Sequence, residues 1–152
     1  ELLARLGARD GAGVMVSDSK ITISIPKRDD IQARTQKIRR VKGLLVGASG
    51  ESPWTEQILR WAATKRTRPL KYAEGKVVVE GIVLTPTEII HLDECGEPIV
   101  LDQQFFAIGT GAHAALGAML AGADAMRAAE IACEVDPHSE GPMQILKLEL
   151  PL

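Results

Sequence analysis

Phe105-Phe106-Ala107-Ile108-Gly109-Thr110-Gly111-Ala112-His113-Ala114-Ala115-Leu116-Gly117-Ala118-Met119-Leu120 is the stretch whose reading decides the fold. A short apolar run leads into Gly-Thr-Gly, which breaks the strand, and then into a segment of small and apolar residues at helical length. A second Ala-rich segment follows, Ala123-Asp124-Ala125-Met126-Arg127-Ala128-Ala129-Glu130-Ile131-Ala132-Cys133. Side chains this small let two consecutive helices approach each other and a sheet closely. The expectation is therefore strand, turn, helix, helix.

Working outward, the rest of the chain reads mainly as strands. Leu2 to Leu6 and Gly13 to Asp18 flank the turn signal Arg9-Asp10-Gly11 and predict an N-terminal hairpin. Ile21, Ile23 and Ile25 alternate with Thr22 and Ser24, a period of two that predicts a half-buried strand ending at Pro26. Lys27 to Gln36 is polar and reads as a surface loop or ribbon. Lys37 to Val41 and Leu44 to Gly47 are two strands around Lys42-Gly43. Ser52 is a plausible helix N-cap with Pro53 at the first helical position, and Trp54, Ile58, Leu59, Trp61 and Ala62 give that helix a broad apolar face. Val77 to Leu84, Glu88 to Leu92 and Ile99 to Leu101 predict three more strands, and Met143 to Leu150 a closing one. Segregated strands and helices of this kind argue for an α+β fold and against alternating βαβ units.

Composition narrows the functional classes. The 152 residues fit one domain spanning 1–152. A formal net charge of -2 makes no electrostatic case for nucleic acid or an anionic membrane. Apolar runs fall well short of the ~20 residues a membrane span needs, and no signal-peptide pattern opens the sequence. Cys95 and Cys133 read as reduced thiols of a cytoplasmic protein. With only 3% aromatic residues, the core must be built from Ala, Val, Ile and Leu.

Four stretches, taken in order, resemble the β-type subunits of the proteasome and their bacterial and phage relatives of the HslV kind. Gly13-Val14-Met15-Val16-Ser17-Asp18 resembles the second strand of that family, which ends in an acidic residue. Lys37-Ile38-Arg39-Arg40 resembles the strand that carries its active-site lysine. Val46-Gly47-Ala48-Ser49-Gly50 resembles the Gly-containing turn ahead of its first helix, and Phe106-Ala107-Ile108-Gly109-Thr110-Gly111 its Ala-Ile-Gly-Ser-Gly element. The resemblance covers nearly the whole chain. It implies the four-layer αββα sandwich of N-terminal-nucleophile hydrolases, with two antiparallel sheets between helix layers.

It also implies a site. In this family an N-terminal Thr, Ser or Cys attacks a peptide carbonyl, and its own α-amine acts as general base. By the same resemblance Asp18 and Lys37 take the supporting acidic and lysine positions, and Thr110 that of the hydroxyl that orients the nucleophile. Gly47 and Gly50 are then the oxyanion candidates. Counting back from Asp18 places the nucleophile at or beside Leu2, yet no Ser, Thr or Cys occurs before Ser17. The chain as given therefore carries no nucleophile of that kind. It reads as a non-catalytic subunit of a homo-oligomer, for instance a phage-particle component and so a virion protein. The alternative is a threonine-peptidase-type hydrolase with its nucleophile upstream of Glu1, served by an ATP-dependent unfoldase.

Other features read more plainly. Gly109-x-Gly111-x-x-Ala114 resembles a dinucleotide-binding fingerprint, but a second helix follows where an acid-ending strand should. No cofactor is expected. His91 and Cys95 are four apart without a second pair, a poor zinc pattern, so no metal is expected either. His113 reads as a packed or interface residue. Arg34, Arg39, Arg40, Lys42, Lys65, Arg66 and Arg68 read as solvated faces. Trp54 and Trp61 are open to two readings, subunit contact or core.

Overall fold

Met15 and Val16 are neighbours in sequence and both are fully buried, yet they belong to different cores. That is the signature of a sheet covered on both faces, and it organises the molecule. A computed structural model describes residues 2–6, 13–17, 20–23, 31–34, 37–50, 55–70, 79–93, 95–137 and 141–148. The Arg9-Asp10-Gly11 turn, Asp18, Pro26, Ser52, Pro53, Trp54 and Val77 lie outside these residues.

One sheet has four antiparallel strands in the order β10-β1-β2-β11. These are β1 (Leu2–Leu6), β2 (Gly13–Ser17), β10 (Phe105–Ile108) and β11 (Gln144–Lys147). The expected hairpin is present, with Leu2 opposite Ser17 and Leu6 opposite Gly13. A second sheet has five antiparallel strands in the order β5-β6-β7-β8-β9. They are β5 (Ile38–Val41), β6 (Leu44–Gly50), β7 (Val79–Leu84), β8 (Ile89–Leu92) and β9 (Pro98–Leu101). Between β5 and β6, Lys42 and Gly43 both take positive φ, 47° and 76°. A two-residue hairpin of the type I′ class needs this, and Gly supplies it without strain. The polar Lys27–Gln36 stretch contributes a ribbon: β3 (Lys20–Ile23) pairs with β4 (Ile31–Arg34) in a two-stranded sheet of their own.

Three apolar layers hold the stack together. The middle one, between the sheets, contains Met15 and Ile108 from one side and Ile38, Leu45, Ile82, Leu84 and Ile89 from the other. The outer face of the four-stranded sheet, through Val16 and Ala107, meets α2 (Ala112–Leu120) and α3 (Ala125–Val135). The outer face of the five-stranded sheet, through Val46, Ala48, Val83 and Ile90, meets α1 (Thr55–Ala62). The order is therefore helix, sheet, sheet, helix, an α+β fold of the kind expected. Each fully buried Ile or Leu contributes about 1.5–3 kcal/mol on an upper-bound area scale.

The helix layers explain the composition. Ala115, Ala128, Ala129 and Ala132 are each fully buried, so α2 and α3 pack through side chains of one carbon. Asp124 caps α3 by accepting the Arg127 N–H at 2.8 Å. Trp61 belongs to the core: it is 7% exposed against the five-stranded sheet, and its Nε1 donates to the Arg68 carbonyl at 2.7 Å. Among the described residues no helix is long and apolar enough to cross a membrane.

One expectation needs correction. Val46-Gly47-Ala48-Ser49-Gly50 is extended strand throughout, not a turn: β6 continues to Gly50, which pairs with Val79.

Candidate functional site

The N-terminal end of β1 is held on both flanks. Leu2 stands opposite Ser17 on β2 and opposite Ile108 on β10, and Ser17 in turn stands opposite Gln144 on β11. The row Ile108–Leu2–Ser17–Gln144 thus crosses one end of the four-stranded sheet. Ser17 is fully buried, and its Oγ donates to Gln144 Oε1 at 3.1 Å.

That same oxygen reaches the other sheet. The backbone N–H of Lys37, the residue before β5, donates to Gln144 Oε1 at 2.9 Å. On its other side the Lys37 carbonyl accepts the Ala48 N–H at 3.4 Å. Lys37 is half-buried and is fixed between β11 and β6. Ile38, next to it, stands opposite Gly47, which in turn faces Ile82 on β7. Lys37 and Gly47 are therefore at the same edge of the inter-sheet layer as the Leu2 row. Gly50 lies further along β6, at its end.

Thr110 joins this edge from the helix side. It follows Ile108 by two residues, across Gly109, whose φ of 109° turns the chain out of β10 toward α2. Thr110 Oγ1 donates to Asp136 Oδ2. Asp136 ends α3, is 8% exposed, and donates its own N–H to the Ala132 carbonyl at 2.8 Å. A buried carboxylate needs such partners to offset its lost hydration.

The structure thus brings Lys37, Gly47 and Thr110 to the end of the sheets where β1 begins. Asp18 follows Ser17 directly in the sequence and is outside the described residues. His113 is exposed on α2, Cys95 is exposed in the turn before β9, and His91 contacts Glu80 at 3.0 Å. Among the described residues no three His, Cys, Asp or Glu side chains are grouped to hold a metal.

Solved structures give the comparison that settles the architecture. HslV from Trypanosoma brucei superposes with a TM-score of 0.68 at 20% identity, covering 98% of this chain and 99% of that one. The fold is that of HslV. Thiobacillus denitrificans BPH shares it, with a TM-score of 0.71 at 17% identity over 99% of both chains. The same BPH in complex with epoxomicin gives 0.71 at 18% identity over 100% of both. No protein-family model matches the sequence, and no curated protein does.

Within this HslV fold, sequence reasoning overlooked Gln144 and Asp136. Gln144 left a signal: it shares the phase of Leu146, which packs toward the inter-sheet core, so it is a polar residue on an apolar face. Asp136 left a weaker one, an acid followed by proline at the end of the second helix.

Proposed function

We propose that this chain is a non-catalytic subunit of the proteasome-β/HslV type, a building block of a homo-oligomeric assembly. The observation that carries this reading is the register of β1. The nucleophile belongs at or beside Leu2 by resemblance, and Leu2 occupies the row between Ser17 and Ile108 with an aliphatic side chain that has no proton to give up and no lone pair to attack with. The supporting residues around it then serve structure: Gln144 ties Lys37 to Ser17, and Asp136 ties the start of α2 to the end of α3. A place in a phage particle is one setting for such a subunit.

A second reading draws on one observation, that the Leu2 row is tied through Gln144 to Lys37 and leads through Ile108 to the turn carrying Thr110. In it, a Thr, Ser or Cys upstream is the true N-terminus and supplies both nucleophile and base. One set of measurements on native protein separates the two: intact mass with N-terminal sequence, hydrolysis of short peptides, and covalent labelling by epoxomicin, the compound bound to Thiobacillus BPH. The non-catalytic reading expects no label and no turnover. A labelled N-terminal residue with turnover overturns it. Size-exclusion chromatography with light scattering checks the assembly, and a monomer at micromolar concentration removes that part of the proposal.

A further inference from the structure

β9 is the outermost strand on one side of the five-stranded sheet, and among the described residues no strand pairs with its outer edge. Its four residues, Pro98-Ile99-Val100-Leu101, carry no charge. Ile99 stands opposite His91 and is 44% exposed; Val100 stands opposite Ile90 and is 58% exposed. Neighbouring residues of a strand point to opposite faces, so apolar side chains are open to water on both sides of this edge. Natural sheet edges are ordinarily protected by charged side chains, bulges or proline, because free N–H and C=O groups beside apolar side chains invite another strand. Here Pro98 protects only the first position.

The opposite edge of the same sheet is complementary in charge. β5 presents exposed Arg39 and Arg40, and exposed Lys42 follows it. β9 is bracketed by exposed Glu97 and Asp102. Among the described residues none of these five side chains forms an ion pair. Four antiparallel steps lead from β5 to β9, so the two edge strands run in the same direction. Pairing of β9 with itself across a two-fold axis is disfavoured by charge. In the register that joins all four residues, it sets Glu97 of one copy beside Asp102 of the other at both ends.

We propose that β9 of one copy adds to β5 of the next, so that the five-stranded sheet continues from subunit to subunit in a head-to-tail assembly. The proposal rests on the homo-oligomeric part of the reading above and names where the copies meet. Backbone hydrogen bonds along the joined strands and burial of Ile99 and Val100 supply the attraction. The charges choose the partner: exposed ion pairs add little energy, yet like charges face to face exclude the wrong pairing. A contact between two different patches closes into a ring where the rotation permits.

The test is charge exchange, read as particle mass by light scattering and as fold by circular dichroism. One variant carries Arg39→Glu with Arg40→Glu, the other Glu97→Arg with Asp102→Arg. Each alone should form smaller particles than wild type at the same concentration, because its own two edges now repel. An equimolar mixture should regain the larger particles, with the two variants alternating. Wild type that is itself monomeric removes the homo-oligomeric reading and this proposal with it. Assembled wild type with either variant unaffected, or with no recovery on mixing, overturns the edge contact and leaves that reading standing. Should a variant not fold, zero-length carbodiimide cross-linking of a mixture of 14N- and 15N-labelled wild type decides. A mixed-label link between Lys42 and Asp102 or Glu97 supports the contact, and its absence overturns it.

Discussion

Ser17 and Lys37, on facing sheets, share a single acceptor, the side-chain oxygen of Gln144. One atom thereby couples β2, β11 and the start of β5. Gln144→Leu keeps the size of the side chain and strands two donors, one of them fully buried. An unpartnered buried donor costs about 1–3 kcal/mol, so the variant should lose about 2–4 kcal/mol by denaturant unfolding with an unchanged slope. Ser17→Ala in the same background should then cost much less than it does alone, because its partner is already gone.

Thr110→Val removes the hydroxyl that donates to the buried Asp136 carboxylate and keeps the β-branched shape. The expected loss is about 1–2 kcal/mol, read as a lower thermal midpoint. Asp136→Ala should cost more, since it also takes an acceptor away from the junction of α3 with the following loop. If Thr110→Val melts like wild type, the contact is incidental.

Gly13 is required by its neighbours. An added Cβ would lie 2.4 Å from Leu148 Cδ1 and 2.7 Å from Leu84 Cδ2, both buried side chains, while the Gly13 carbonyl accepts the Leu148 N–H at 2.8 Å. Gly13→Ala should therefore destabilise by about 1–3 kcal/mol through overpacking. Leu148→Ala in the same chain should recover part of that loss, which thermal unfolding of the double variant would show.

The helix pair separates two kinds of small residue. Ala115 is fully buried against α3 and the sheet, and Ala115→Leu should cost about 1–3 kcal/mol. Gly117, two residues on, has open space around it, and Gly117→Ala should stabilise by about 0.5–1 kcal/mol because alanine loses less freedom in a helix. Opposite shifts in the two melting curves are the expected result; shifts of one sign would place the α2–α3 contact elsewhere.

Much of this architecture was legible in the sequence where periodicity is unambiguous. The Phe105–Ile108 strand, the turn through Gly109 and both Ala-rich helices follow directly from residue size and spacing. The pairing of Leu2–Leu6 with the strand from Gly13 was expected from the turn signal between them, and its register was not. The extent of β6 did not, because Gly47, Ala48, Ser49 and Gly50 carry local preferences for turns that pairing with β7 overrides. At the site, Lys37 and Thr110 were visible through resemblance. Gln144 and Asp136 act through partners 107 and 26 residues away in sequence, and no local pattern records such contacts.

The doubly flanked position of β1 has a consequence for what the strand tolerates. Because hydrogen-bonded neighbours on both sides lock its register, slipping by one residue would turn every side chain of the strand to the wrong face. The four-stranded sheet therefore holds residues 2–6 as a block, through backbone pairing on both flanks and not through any single side chain.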